Sequence, residues 1–415
     1  MNKKQKIIIV HFQFSPYGGG EIAAYNNYRI LKKNAHDVYF FAIDKKPYFE
    51  DDYQYADYFV KPRRKNNFLD YHRNIPSAYF NTDYAGHFGI MLDEIKPDIV
   101  HIHSLGQLTY SVLQPCFDRN IPVVKTEHSA LSACPSESLF YQNRTLCTKE
   151  LCVKGNYLHC ILNKCCKNSL YSSFVCSLKN YINDLTGYNN KISKFISPSS
   201  ALKRILVKKG IPENKIKVIY NFFDDKFKNT DYSGNKSGYF LYSGRLYNFK
   251  GLRTLIEAMK ELPREIPLHI AGTGPMEDEL KKFCIDNQLD NVNFLGFLPQ
   301  NKLAEEYKNC RALIVPSVWF EIFGLITIEA MAYAKPVIGS NIGALPEIIE
   351  HNKTGLLFKA ENTQQLKECM LKYWNNPNLA LKHGEEGYRK ANRLYTEDIY
   401  YNNLINLYME VLNEK

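Results

Sequence analysis

The sequence predicts an α/β chain built as two doubly wound domains, each a parallel sheet wrapped by helices. Three observations predict it. Strand-like and helix-like runs alternate along most of the chain, which implies βαβ units. The alternation pauses in a polar stretch at 224–237, rich in Asp, Lys, Asn, Ser and Gly, and then starts afresh. And 415 residues are too many for one ordinary core, yet comfortable for two domains of roughly 200 residues each.

In the first half, strands are expected over 7–12, 38–43, 98–103, 122–126 and 194–197. The first of these opens with the unbroken apolar run Ile7-Ile-Ile-Val10 of a buried strand. Loop leading into helix is expected over 18–33, and helices over 88–95, 107–119 and 199–209. In the second half, strands are expected over 239–243, 268–271, 292–295, 312–316 and 337–340. Helices are expected over 252–262, 277–287, 303–309, 325–333 and 345–349. The domains should be 1–222, with a cysteine-rich insertion at about 132–180, and 223–395; a last helix at 396–415 should pack back on the first domain. Ligands of such sheets bind outside the carboxyl ends of the strands, so two facing sheets leave a cleft between them.

Composition narrows the class. Hydrophobic residues at 45% and charged residues at 23% suit a globular protein rather than a disordered one. No apolar run approaches the ~20 residues that span a bilayer. The apolar N-terminal run ends at His11 and Gln13 without a cleavage site, so a cytoplasmic location is expected. The net charge of +10 is uneven: residues 147–215 hold twelve Lys or Arg against three acids. Lys203, Arg204, Lys208 and Lys209 fall together on one expected helix, which suits either an ordinary solvated surface or attraction to an anionic membrane. No nucleic-acid-binding motif is present, so nucleic acid is not an expected partner.

The chemistry concentrates in two runs. The first is Pro316-Ser-Val-Trp-Phe-Glu321-Ile-Phe-Gly324-Leu325-Ile-Thr-Ile-Glu329. A strand ends at Pro316, a loop bears Glu321, and a helix starts near Gly324 with free N–H groups that suit an anionic or hydroxyl-rich ligand. Glu321 can accept from sugar hydroxyls, and the two oxygens of Glu329 can accept from both hydroxyls of a ribose. A carboxylate at 329 would otherwise be buried without a partner, which is costly. The second run is Gly244-Arg245-Leu-Tyr-Asn-Phe-Lys250-Gly251, in which two cations follow a strand between glycines. A planar guanidinium and a compact ammonium so placed suit a diphosphate.

These residues resemble glycosyltransferase family 4, retaining enzymes of the GT-B fold with two Rossmann-like domains facing a central cleft. Glu321 and Glu329 match the family's E-x7-E motif, and Arg245 and Lys250 its diphosphate-binding pair. The resemblance extends to Gly18-Gly19-Gly20-Glu21, to Ala271-Gly272-Thr-Gly274-Pro275 and to Gly343-Ala-Leu-Pro-Glu347. It implies a nucleotide-sugar donor (UDP- or GDP-sugar), with Glu321 on the transferred sugar and Glu329 on the ribose. The backbone at Phe323, Gly324 and Leu325 would meet sugar and phosphate, and that near Phe297 and Leu298 the base. His128 would face the acceptor or the donor sugar, and the backbone of Gly18 to Gly20 would approach the donor phosphate or the acceptor. His103 could also face the cleft, whereas His101 reads as a core histidine. The implied reaction retains configuration and needs no metal or other cofactor, because Arg245, Lys250 and helix N–H groups stabilise the departing diphosphate. The implied acceptor is a glycan or lipid-linked intermediate of cell-surface polysaccharide. At Ile322 the family commonly has Gly, so donor identity does not transfer.

Seven of the eleven cysteines (134, 147, 152, 160, 165, 166 and 176) fall within 43 residues, where even scatter gives about one. The stretch resembles an insertion in some family members. Cys147, Cys152, Cys160 and Cys165 are candidates for a structural zinc; reduced packing thiols and an iron–sulfur cluster are the alternatives. Rival functions are a dehydrogenase, which the incomplete G-x-G-x-x-G disfavours, a non-catalytic nucleotide-sugar binder, and transfer to a soluble acceptor.

Overall fold

The computed structural model describes residues 4–12, 19–43, 59–60, 79–141, 145–147, 151–224 and 238–414. The first domain contributes strands β1 (Lys6–His11), β2 (Asp37–Ile43), β3 (Phe59–Val60), β4 (Ile99–Ser104), β5 (Val123–Thr126), β6 (Phe140–Tyr141), β7 (Thr145–Leu146), β8 (Lys194–Ser197) and β9 (Ile216–Val218). Seven of them form one parallel sheet in the order β3-β2-β1-β4-β5-β8-β9, while β6 and β7 pair as a small antiparallel ribbon. The second domain contributes β10 (Phe240–Ser243), β11 (Leu268–Ala271), β12 (Val292–Gly296), β13 (Ala312–Val315), β14 (Val337–Ser340) and β15 (Gly355–Phe358). These form a parallel sheet in the order β12-β11-β10-β13-β14-β15. Both are doubly wound, Rossmann-like domains.

Strand β1 is central because Ile7, Ile8, Ile9 and Val10 are fully buried on both faces. Ile8 and Val10 pack with Phe88, Met91 and Leu92 of helix α1 (Thr82–Ile95). Ile7 and Ile9 pack with Tyr400, Leu404, Leu407 and Tyr408 of the last helix, α2 (Glu397–Asn413). That helix is also tied to the first domain by charge: Glu397 pairs with Arg29 at 2.8 Å and Lys33 at 2.7 Å, and Glu410 with Lys194 at 2.6 Å.

The helix expected over 107–119 is instead three short pieces, Gly106–Leu108, Tyr110–Leu113 and Gln114–Asp118. Thr109 at φ 63° breaks the run, and Pro115 lacks the N–H that would continue it. Strands β9 and β15 are not expected from the sequence; each has only three or four residues.

Candidate functional site

In each sheet the strand order reverses once, between β1 and β4 and between β10 and β13. At such a reversal the loops leaving two adjacent strands diverge and open a crevice at their carboxyl ends. In the second domain those loops bear Arg245 and Lys250 after β10, and Glu321 after β13.

Glycines set the course of the 244–251 loop. A Cβ on Gly272 would lie 1.9 Å from the carbonyl oxygen of Gly244, and one on Gly274 would lie 2.5 Å from that of Leu246. Leu246 N–H donates to Thr273 O at 2.9 Å, and Gly244 N–H to Ala271 O at 2.9 Å. Gly272 and Gly274 therefore let two loops touch, which positions Arg245 from behind. Gly251 (φ 73°) packs on the other side, where a Cβ would meet Pro316 O at 1.8 Å. Arg245 itself is exposed, its guanidinium carbon 5.3 Å from the Tyr247 ring centre.

Glu321 is buried, and Lys250 Nζ lies 2.6 Å from its Oε1. Ser317 Oγ donates to the same oxygen at 2.5 Å, and the Lys250 ammonium sits 4.9 Å from the Trp319 ring centre. Burial alone would raise this carboxyl's pKa, but the Lys250 charge and the donated hydrogen bonds outweigh it and hold it below the ordinary value. Glu321 is thus an ionised acceptor beside a cation. Its backbone is clamped as well: Ala344 N–H donates to Glu321 O at 2.8 Å, and Gly343 (φ 58°) passes so close that a Cβ would lie 2.3 Å from that oxygen.

Gly324 (φ 97°) precedes helix α3 (Leu325–Ala332), whose first turn has no side-chain cap. A Cβ on Gly19 would lie 3.9 Å from Leu325 Cδ1, and Gly19 opens the first-domain helix Gly19–Lys33. Two helix starts, one from each domain, therefore meet across the cleft. Their N–H groups and dipoles favour an anion there. A Cβ on Gly20 would touch His128 at 3.3 Å, so Gly19, Gly20, His128 and Leu325 are brought together. Gly18 lies outside the described residues. Phe323 is buried between the Tyr220 and Tyr395 rings, Phe297 is 79% exposed after β12, and Leu298 packs on the second-domain core.

Glu329, half-buried in α3, does have a partner: Tyr307 hydroxyl donates to its Oε2 at 3.1 Å. Burial still pushes the carboxyl up to about 7. Nothing in the sequence around Tyr307 signals this pairing.

His128 Nε2 lies 2.7 Å from His103 Nδ1, with the rings stacked at 5.0 Å. His103 Nε2 lies 2.8 Å from Asn27 Nδ2, which also reaches His101 Nδ1 at 3.3 Å. His101 is satisfied by Tyr408 at 2.6 Å and Thr126 at 2.7 Å. Burial lowers the pKa of all three imidazoles, those of His101 and His128 to about 3, so they are neutral near pH 7. A chain of neutral rings thus runs from the cleft to α2.

The cysteine stretch departs from the zinc expectation. Among the described residues no group of three or more His, Cys, Asp or Glu is arranged to hold a metal. Cys152, Cys160 and Cys166 instead pack around the buried Tyr157, and Cys160 Sγ lies 3.9 Å from Cys166 Sγ. Cys165 packs against that cluster and Cys147 lies partly exposed, both as free thiols.

Two family models match. One, Glycosyltransferase Family 4, covers residues 17–227, and the other, Glycosyl transferases group 1, covers residues 224–390. An O-antigen chain mannosyltransferase C of Escherichia coli is 30% identical over 179 residues, 43% of this chain and 48% of that one. The D-rhamnosyltransferase WbpZ of Pseudomonas aeruginosa is 30% identical over 160 residues, 38% of this chain and 42% of its own. The chain thus spans about half the length of the curated relatives it matches. Among solved structures, sucrose-phosphate synthase of Thermosynechococcus elongatus superposes with TM-score 0.74 at 18% identity, over 99% of this chain and 100% of that one. Anabaena HepE, solved with UDP and glucose, does so with TM-score 0.70 at 17% identity, over 98% and 100%. The two sheets and these likenesses give the chain the GT-B fold.

Proposed function

Because this chain belongs to glycosyltransferase family 4, we propose that it transfers a sugar, with retention, from a UDP- or GDP-sugar to a lipid-linked glycan acceptor in polysaccharide biosynthesis. The observation that supports this reading best is the pairing of buried Glu321 with half-buried Lys250, beside exposed Arg245, at the reversal of the second sheet. Arg245 and Lys250 hold the donor diphosphate, Lys250 being shared between its phosphates and Glu321. Glu321 accepts hydrogen bonds from the transferred sugar, and Glu329 accepts from the ribose. The backbone of Phe323, Gly324 and Leu325 meets sugar and phosphate, and that of Phe297 and Leu298 meets the base. As the sugar–phosphate bond breaks, negative charge grows on the leaving diphosphate, and two cations with two helix starts stabilise it without an obligatory divalent metal. The acceptor hydroxyl attacks on the face the diphosphate leaves, which retains configuration, and passes its proton to a departing phosphate oxygen. His128, neutral, orients one of the sugars.

The acceptor domain is 1–222 with the cysteine-rich segment marking a subgroup, the donor domain is 223–395, and 396–415 returns to the first. Transfer takes place in the cytoplasm at the inner face of the membrane. On the helix Ser200–Lys209, Lys203 and Lys209 are already paired, with Glu213 at 3.0 Å and Asp184 at 2.6 Å. The better membrane face is 154–174, where Leu158, Leu162, Leu170 and Phe174 are 53%, 68%, 52% and 49% exposed. Lys154, Lys164 and Lys167 are exposed among them, and no acid occurs from 151 to 183.

The test is a panel of nucleotide sugars with and without polyprenyl-linked acceptors, scored by nucleoside diphosphate released in EDTA and by the anomeric configuration of the product. Turnover of one donor, in EDTA, to a retained product is expected. No turnover of any donor would refute transfer, inversion would refute the stereochemistry, and rescue only by Mg²⁺ or Mn²⁺ would refute metal independence.

A further inference from the structure

The motif Gly343-Ala-Leu-Pro-Glu347 ends in a carboxylate with no part in donor binding as described above, and the structure uses it across the domain interface. Glu347 stands on the short second-domain helix Leu345–Ile348. Its Oε1 and Oε2 each accept from Ser200 N–H of the first domain at 2.9 Å, and Oε2 also accepts from Ala201 N–H at 3.2 Å. Tyr220 hydroxyl donates to Oε1 at 2.8 Å. Ser200 opens helix α4 (Ser200–Lys209), so one domain's carboxylate caps a helix of the other. Next to it, Ser199 Oγ donates to the carbonyl of Ile322, the residue after Glu321, at 2.7 Å. Phe320 and Ile322, on either side of Glu321, pack on the first-domain core.

The same short helix begins where the loop at 343–344 clamps the Glu321 backbone, through Ala344 N–H at 2.8 Å. The carboxylate that grips the first domain and the backbone that grips Glu321 are therefore three residues apart on one rigid turn. If the domains part, Ser199 leaves Ile322 and Ser200 leaves Glu347 together, and the Glu321 loop keeps only its second-domain supports.

We propose that Glu347 is a positioning residue: it latches the domain interface closed and so holds Glu321 in the geometry that transfer requires. The inference rests on the transferase reading for its kinetic test but not for its structural one. The two cations that grip the donor diphosphate, Arg245 and Lys250, both lie in the second domain, so a released latch should leave nucleotide binding nearly intact while slowing transfer. Several charge-assisted hydrogen bonds are at stake, each sufficient for roughly tenfold.

The test compares wild type with Glu347→Ala, Glu347→Gln, Ser199→Ala and Tyr220→Phe. In small-angle scattering without ligand, Glu347→Ala is expected to show a larger radius of gyration than wild type. In calorimetry with UDP and GDP its affinity should stay within about twofold, while kcat falls by about tenfold or more. Glu347→Gln, which keeps two acceptor lone pairs on one oxygen, should recover part of both losses. If Glu347→Ala does not fold, Ser199→Ala and Tyr220→Phe decide, each expected to lower kcat several-fold at unchanged nucleotide affinity. An unchanged radius of gyration together with unchanged kcat overturns the latch, as does a kcat loss matched by an equal loss of nucleotide affinity. Failure of the donor panel would refute transfer while leaving the scattering result to judge the latch alone.

Discussion

The two domains share an architecture and differ in where they keep their polar groups. In the first domain the strands themselves bury them: His101 and His103 in β4, and Lys125 and Thr126 in β5 next to Glu127. Lys125 Nζ pairs with Glu127 Oε1 at 2.7 Å, both side chains nearly inaccessible. In the second domain β13 buries Ala312, Leu313, Ile314 and Val315, and the ionisable site residues wait in the loop and helix beyond it. A donor site that grips one chemical constant, a diphosphate, can be built from loops at set spacings after a regular sheet. A domain whose strands hold a linked polar network must satisfy each buried group or lose stability. The first domain should therefore be the acid-sensitive one, and the second the one whose single substitutions remove function without unfolding.

The largest expected effect follows from that division. Lys250→Ala removes the cation that touches Glu321, and transfer should fall by about 100-fold or more, as when other preorganised electrostatic groups are removed. Steady-state kinetics on the donor identified by the panel measures it, with circular dichroism expected to show an intact fold. A loss below threefold would move the charge stabilisation elsewhere. His128→Ala should cost less, about tenfold in kcat. A value like that of Lys250→Ala would place the critical chemistry in the first domain.

The third expectation concerns pH. The imidazoles of His101, His103 and His128 have pKa values lowered by burial, to about 3 for the first and last. Unfolded histidines take up protons near 6.5 while the folded ones do not, so stability must fall as pH drops below about 6.5. By pH 5 each fully buried ring can cost on the order of 2 kcal/mol. Glu329 runs the other way. Its folded pKa is raised to about 7, so its stabilising contribution is full below the unfolded value and is lost as pH rises through about 7. Hydrogen exchange at pH 5 and pH 7 should show the first domain losing protection in acid before the second. Equal loss in both domains would erase the distinction.

The smallest effect should come from Glu329 as a ligand. An ionised carboxylate accepts both ribose hydroxyls, so nucleoside diphosphate affinity should rise severalfold from about pH 6 to pH 8. Glu329→Gln should flatten that slope, and a slope unchanged in the variant would remove Glu329 from the ribose.

The same contrast explains what was legible beforehand. Arg245, Lys250 and Glu321 could be picked out as candidates because each follows a strand end closely, and Glu329 because a carboxylate stands in an otherwise largely apolar helix. The network of Asn27, His103 and His128 could not, because its members come from a helix, a strand and a loop far apart in sequence. Tyr307, the donor to Glu329, gave no signal for the same reason. Spacing also misled: four cysteines at suggestive intervals form no group that could hold a metal among the described residues, since interval says nothing about where helices turn the thiols. Thr109 broke a helix that apolar periodicity favoured, because one residue at positive φ overrides a local preference.

The central claim is that the main grip on the donor diphosphate comes from the second domain, through Arg245 and Lys250. Isothermal calorimetry with UDP and GDP on wild type, Arg245→Ala, Lys250→Ala and His128→Ala tests it most directly. Both cation variants should bind the wild-type nucleotide at least about tenfold more weakly, each having lost a charge-assisted contact, while His128→Ala stays within about twofold. Unchanged affinity in both cation variants, or an equal loss in His128→Ala, would contradict it.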